Sequence, residues 1–255
     1  MTSPKVAYLD IETSPIVTHT WGLKNQFIAL NQIRQDPRMI AFGALWRGED
    51  KVRFYSEYHH GRDAMLHRVH RLLDEADVVV HYNGNGFDIP WIQGELATNG
   101  YTPASPFKNL DLYRVIQKNF RFPSNKLQYV AGRLVGDSKV SHTGHQLWVD
   151  CLEGDEETKA KAWALMKKYC KQDVALLPKL HERLLPWIGN QFNPGVLDAD
   201  GDKCTKVGCE STDLEKRGFA YTGQSVFQQY RCRKCGGWSR STKALARVHM
   251  TGVAR

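Results

Sequence analysis

The sequence predicts an α/β sheet domain followed by a small basic tail folded around a metal. Three observations carry this. Strand-like segments come first, then a strand–helix alternation, then helices alone. A stretch rich in Asn, Asp, Gly and Pro follows, and four of the six cysteines crowd in beyond it. At 255 residues the chain can hold one sizeable core plus an appendage. Its 42% hydrophobic and 24% charged residues are ordinary for a soluble globular protein. No run approaches the roughly 20 apolar residues of a membrane span, so no membrane partner is expected. The opening MTSPKVAYLDIET runs straight into an acidic strand and does not read as a secretory signal. A cytoplasmic location is expected, the host's if the protein is phage-encoded.

Val6–Ile11 alternates and is rich in β-formers, a first strand with Asp10 and Glu12 near its end. Arg38–Trp46 and Lys51–Tyr58 read as two more strands joined by a turn at Arg47–Asp50. Met65, Leu66, Val69, Leu72 and Leu73 give Asp63–Glu75 helical spacing. Val78–His81 is a short buried strand leading into the loop Asn83-Gly-Asn-Gly. A helix over Ile89–Thr98 is entered through Pro90. Leu110–Asn119 and Leu127–Leu134 read as helices, Ser138–His145 as a polar loop, and Glu156–Leu185 as a long amphipathic helix bent near Pro178. Residues 1–189 thus form the sheet domain, 190–203 a linker and 204–255 the tail.

Asp10-Ile-Glu12 is the first chemical signal. Side chains two apart on a strand share a face, so both carboxylates project to the same side. Like charges placed together repel, and a divalent cation taking oxygen ligands removes the objection. Asp88 stands where a glycine loop becomes a helix, a position that also suits an N-cap. Tyr169 and Asp173, four apart, lie on one face of the long helix. Trp21, Trp91 and Trp148 read as core residues, and Asp111 as a helix cap rather than a fifth carboxylate of the site. His142 and His145 read as structural or solvated loop residues, with contact to phosphate or to the surroundings of the site as the alternative.

These motifs resemble the tyrosine-bearing branch of the DEDD 3′→5′ exonucleases, which share a ribonuclease H-like mixed sheet flanked by helices. The residues carrying the resemblance are Asp10 and Glu12, Asp88 in Asn83-x3-Phe87-Asp88-x-Pro90, and Tyr169-x3-Asp173. The second segment is similar to the proofreading exonuclease of family B DNA polymerases, and stand-alone phage and bacterial exonucleases have similar motifs. The sister branch places a histidine where this chain has Lys168. The resemblance implies two Mg²⁺ or Mn²⁺ ions bridged by Asp10, with Glu12, Asp88 and Asp173 completing their shells. It implies that Tyr169 orients the attacking water, its pKa near 10 making it a poor base. Asn83 and Phe87 match positions that contact terminal nucleotides by hydrogen bonding and stacking.

Cys204-x4-Cys209 and Cys232-x2-Cys235 form a four-thiolate pattern with Gly208 and Gly236 beside the pairs. It resembles a zinc ribbon holding one structural Zn²⁺, with no open position for catalysis. Residues 201–255 hold 11 Lys/Arg against 4 Asp/Glu, whereas residues 1–200 hold 24 against 23. A basic tail with Phe227, Tyr230 and Trp238 interleaved suits a polyanion. The expected partner is nucleic acid, single-stranded DNA above all, with a polymerase or another replication or repair protein as a further one. The expected activity is exonucleolytic release of 5′-mononucleotides. The alternatives are a structure-selective endonuclease and a nucleic-acid-binding protein with a silent nuclease fold.

Overall fold

The computed structural model describes residues 4–24, 27–137, 144–189, 193, 203–248 and 250. Strand β1 (Val6–Thr13) is followed by a two-stranded hairpin, β2 (Val17–Thr18) and β3 (Ile33–Gln35). Then come β4 (Met39–Trp46), β5 (Arg53–Ser56), the single turn α1 (Glu57–His60), α2 (Arg62–Glu75) and β6 (Val78–His81). Next are α3 (Asp88–Thr98), β7 (Lys108–Asp111), α4 (Leu112–Asn119), α5 (Leu127–Val135), α6 (His145–Glu153) and α7 (Glu156–Leu184). The tail contributes β8 (Leu214–Tyr221), β9 (Ser225–Cys232) and β10 (Trp238–Arg247).

The main sheet has the order β5-β4-β1-β6-β7. β1 is antiparallel to β4 and parallel to β6, which is parallel to β7, so the sheet is mixed and β1 is central. Alternation along β1 divides the core. Ala7, Leu9 and Ile11 pack with Met65, Val69 and Leu73 of α2 and Ile92 of α3. Val6 and Tyr8 face the opposite layer, with α4, α5 and Leu177, Leu180 and Leu184 of α7. Asp10 and Glu12 share the parity of Tyr8, so they face α7.

Several elements depart from expectation. Lys108–Asp111, taken into a helix from Leu110 on, is the edge strand β7; Leu110 is buried there and Asp111 ends it. Tyr58 lies in α1, because the Ser56 hydroxyl accepts from the His59 amide and starts a turn of helix. His145 opens helix α6; the rest of the polar loop expected there, residues 138–143, lies outside the described residues. Trp21 is 99% exposed and is no core residue, whereas Trp91 packs against the α2/α3 core. Helix α7 runs through Pro178 as the single long element expected.

Contact between β4 and α7 is close. Gly43 pairs with Asp10 across the ladder, and a Cβ there would sit 2.8 Å from Val174 Cγ2 and 3.0 Å from Cys170 Sγ. Glycine lets α7 lie down on the sheet beside the carboxylates. The tail's three strands form an antiparallel meander in the order β10-β9-β8. Its cysteine segment joins the body's core: Cys204, Val207, Cys209 and Cys232 are buried in one cluster with Leu184, Leu185 and Ile188. Arg47 donates to Gly208 O at 2.6 Å and pairs with Glu210, and the Lys206 ammonium donates to Ile188 O. Most of the expected linker, residues 190–203, lies outside the described residues.

Gly43→Ala should destabilise the chain by about 1–3 kcal/mol by overpacking α7 against β4. Urea denaturation checks this, and an unchanged midpoint would mean that the two elements do not touch here.

Candidate active site

The site is built where the C-terminal half of β1 meets α7. The carboxylates of Asp10 and Glu12 have oxygens within 4.8 Å of each other and of Cys170 Sγ. Asp88 reaches the same place from the start of α3: its Oδ1 accepts from the amide of Ile11, between the two β1 acids, at 3.0 Å. Tyr169 and Asp173 approach from α7, and the phenol is hydrogen-bonded to the Asp173 carboxylate. Asp88 and Asp173 are not in the tight Asp10–Glu12–Cys170 group, but their charges reach its centre. Burial first, then the fields of Glu12, Asp10, Asp173 and Asp88, hold the Cys170 thiol well above its ordinary pKa. It stays protonated and offers no thiolate.

Burial alone would make such a cluster costly. Asp88 is 3% exposed. Burial pushes its pKa up to about 7, against the lowering effect of the Ile11 amide. Tyr169 is also raised, by burial and then by Asp173, Glu12 and Asp10, so it keeps its proton. The donors are hard oxygens, the kind that divalent cations of the Mg²⁺ class accept. Cation charge would offset both the repulsion and the desolvation. The donor chemistry therefore fits.

The glycine loop is held from below. Asp111 accepts from the amides of Asn83 (2.8 Å), Asn85 (3.3 Å) and Tyr113 (3.0 Å), capping α4 and pinning the loop together. His81 Nδ1 accepts from the Gly84 amide at 3.0 Å while Nε2 faces Asn109 Oδ1 at 3.2 Å. That tautomer is neutral, in keeping with a pKa lowered by burial. A Cβ on Gly84 would meet the His81 ring at 2.4 Å, so only glycine fits above it. Asn83 takes φ 69° to make the turn. Asp111 is thus the cap expected of it and a positioning residue as well.

A recess of about 290 Å³ opens beside Glu12, lined also by Thr13, Ser14, Phe87, His145 and Trp148. Phe87 is 39% exposed, and the Trp148 ring meets the Tyr169 ring edge-on at 6.2 Å. Asn83 is exposed but does not line this recess. Trp148 packs against the core between α6 and α7, as expected of it, and it and His145 also line this recess.

In the tail, Cys204 Sγ lies 3.6 Å from Cys235 Sγ, and Cys209 Sγ 3.7 Å from Cys232 Sγ. All four sulfurs lie within 4.8 Å of one another. Ligands on a tetrahedron of radius about 2.3 Å would be about 3.8 Å apart, so a Zn²⁺-sized site fits. No disulfide joins them.

Two outcomes follow. Asp88→Asn keeps the acceptor for Ile11 and removes a buried charge. Because the folded pKa is raised, the carboxylate's penalty is absent below about pH 4, grows as pH rises to about 7 and is complete above it. In EDTA the variant should therefore gain on the order of 1–2 kcal/mol over the parent at pH 8 and little at pH 4, read from thermal melts. Cys232→Ser should lower the melting temperature of the whole chain, because the cysteine segment shares the body's core. A body transition that stayed put would disprove that coupling.

A family model described as the RNase H superfamily matches residues 29–185, well over half of the chain. The match takes in Asp88, Tyr169 and Asp173; Asp10 and Glu12 precede it and join through β1. DNA polymerase 120R of Invertebrate iridescent virus 3 is 27% identical over 150 residues, covering 44% of this chain and 13% of the viral protein. The family B DNA polymerase of the hyperthermophilic archaeon Pyrobaculum calidifontis superposes with a TM-score of 0.53 at 17% identity, over 72% of this chain and 25% of the polymerase. The chain thus spans a quarter or less of the length of these relatives. With a five-stranded mixed sheet, helices on both faces and the matched span crossing both the sheet and α7, the chain belongs to the RNase H superfamily.

Proposed function

We propose that this chain is a metal-dependent 3′→5′ exonuclease of the tyrosine-bearing DEDD type, acting mainly on single-stranded DNA and releasing 5′-mononucleotides. The observation that supports it is the Asp10–Glu12 carboxylate pair on β1, with Asp88 bonded to the Ile11 amide between them and Tyr169 bonded to Asp173 on the facing helix α7. The four carboxylates would hold two Mg²⁺ or Mn²⁺ ions, which when bound supply positive charge to the reacting phosphate and acidify a water. Tyr169 keeps its proton and gives it to the Asp173 carboxylate as a hydrogen bond, leaving a phenol lone pair to accept from the attacking water. Its role is orientation, not proton removal. The recess beside Glu12 accepts the terminal nucleoside, with Phe87 and Trp148 as stacking surfaces and Asn83 contacting the strand from the loop above. Residues 1–189 carry the chemistry. Cys204, Cys209, Cys232 and Cys235 hold a structural Zn²⁺ in the 204–255 tail, which assists nucleic-acid binding.

Digestion of 5′- and 3′-labelled single- and double-stranded DNA and RNA with Mg²⁺ or Mn²⁺ tests the reading. Laddering from the 3′ end is expected, fastest on single-stranded DNA. Asp10→Ala should cut turnover at least about a hundredfold while sparing binding, and Tyr169→Phe about tenfold to a hundredfold. Internal cuts would make the chain an endonuclease. Binding without any digestion would make it a nucleic-acid-binding protein on a silent fold.

A further inference from the structure

The tail's meander is charged in one sense. Between Leu214 and Arg247 stand eight Lys/Arg and a single acid, Glu215. Strand register sorts them by face. Arg231 pairs with Trp238 on one side and with Glu215 on the other, Gln229 with Arg240, and Phe227 with both Ala220 and Ala244. Directly paired residues project to the same side, and positions two apart on β9 share it. Arg231, Gln229 and Phe227 therefore lie on one face with Trp238 and Arg240. The Arg240 guanidinium lies 3.9 Å from the Phe227 ring centroid, which holds it in place while the residue stays exposed. Trp238 is 43% exposed beside Arg231.

This face is not open sheet. Its Gln229, Trp238 and Arg240, though not Arg231 or Phe227, line a cavity of about 400 Å³ whose other wall is the cysteine segment, with Thr205 and Lys206. Aromatic and amide surface thus alternates with fixed cations along a groove. That chemistry suits stacked bases strung between phosphates. An acidic protein would also match the charge, and the measurement below separates the two.

The groove also lies at the opposite end of β1 from the carboxylates. Arg47 bonds both to Val6 O, at the start of β1, and to Gly208 O in the cysteine segment. Asp10 is four residues further along the strand, about 13 Å away. A nucleic acid touching both places has to cross at least that distance.

We propose that the groove between β9–β10 and the cysteine segment is a second binding site for single-stranded nucleic acid. It grips the part of the strand 5′ to the end held in the active site, with Trp238 as stacking surface and Arg240 on a phosphate. The assignment of which end lies where rests on the exonuclease reading; the binding site itself does not. It makes the protein a length sensor, since a strand too short to span both sites loses the second grip.

The test uses the full, zinc-loaded chain. Fluorescence anisotropy in an Asp10→Ala background measures affinity for an oligonucleotide of about 30 residues, with Trp238→Ala, Arg240→Ala and Trp238→Phe compared. The alanine variants should each lose about tenfold in affinity, Trp238→Phe should keep most of it, and Arg240→Ala should reduce the salt slope by about 0.7. Zinc content and circular dichroism establish that the variants are folded. With Asp10 restored, the ratio of kcat/KM between that oligonucleotide and a trinucleotide should fall about tenfold in Trp238→Ala. Unaltered affinity in folded alanine variants overturns the proposal and leaves the face to an acidic protein partner. Equal losses on long and short substrates also overturn it. Absence of digestion in the parent overturns the exonuclease reading alone, because the anisotropy result does not need turnover.

Discussion

The structure is organised around an electrostatic conflict on one face of β1. Asp10 and Glu12 point the same way, Asp88 is fixed between them by the Ile11 amide, and Asp173 faces them from α7. Nothing in the hydrophobic effect brings four acids together. What does so is the packing that surrounds them. Apolar residues on the other parity of β1 anchor it to α2 and α3, and Gly43 admits α7 to the same depth. The body's stability derives from those contacts, and part of it is used to hold charges in mutual proximity. Burial pushes the Asp88 pKa to about 7, so a charged carboxylate there costs folding energy unless a positive charge stands beside it.

Second-layer contacts keep that arrangement from relaxing. Asp111 binds three amides and so joins the glycine loop to α4, while neutral His81 supports Gly84 from inside the sheet. Without them Asp88 would be carried on a loop free to swing toward solvent. At the far end of β1, Tyr8 and His181 share a buried hydrogen bond of 3.1 Å beneath the cysteine segment. Burial lowers the His181 pKa to about 4, so the pair is neutral and serves as packing. The body and the cysteine segment therefore share one core, although the basic meander beyond them is largely solvated.

Legibility in the sequence followed chemistry more than geometry. Strong periodicities, such as Met65 to Leu73 and the long run of α7, announced their elements. The edge strand β7 did not, because Lys108 and Asn109 are exposed and four residues carry too short a pattern. Helix α6 was hidden by the polar stretch before it. Carboxylate spacing on β1 and α7 could be read directly, since two-residue and four-residue repeats place side chains on one face. What could not be read was anything supplied by distant parts of the chain: that Asp111 holds the loop of Asn83, that Trp148 stands over Tyr169, or that Trp21 lies in solvent. Those depend on which layers meet, and no local spacing encodes it.

The two-residue period of β1 has a consequence for how such a site can change. Inserting or deleting one residue ahead of Asp10 would turn both acids toward α2 and α3 and set Leu9 and Ile11 against α7. No halfway arrangement exists between those states. A residue added here must be taken up as a bulge, as the irregularity between Glu12 and Thr13 shows this ladder can hold, or the acid pair changes face.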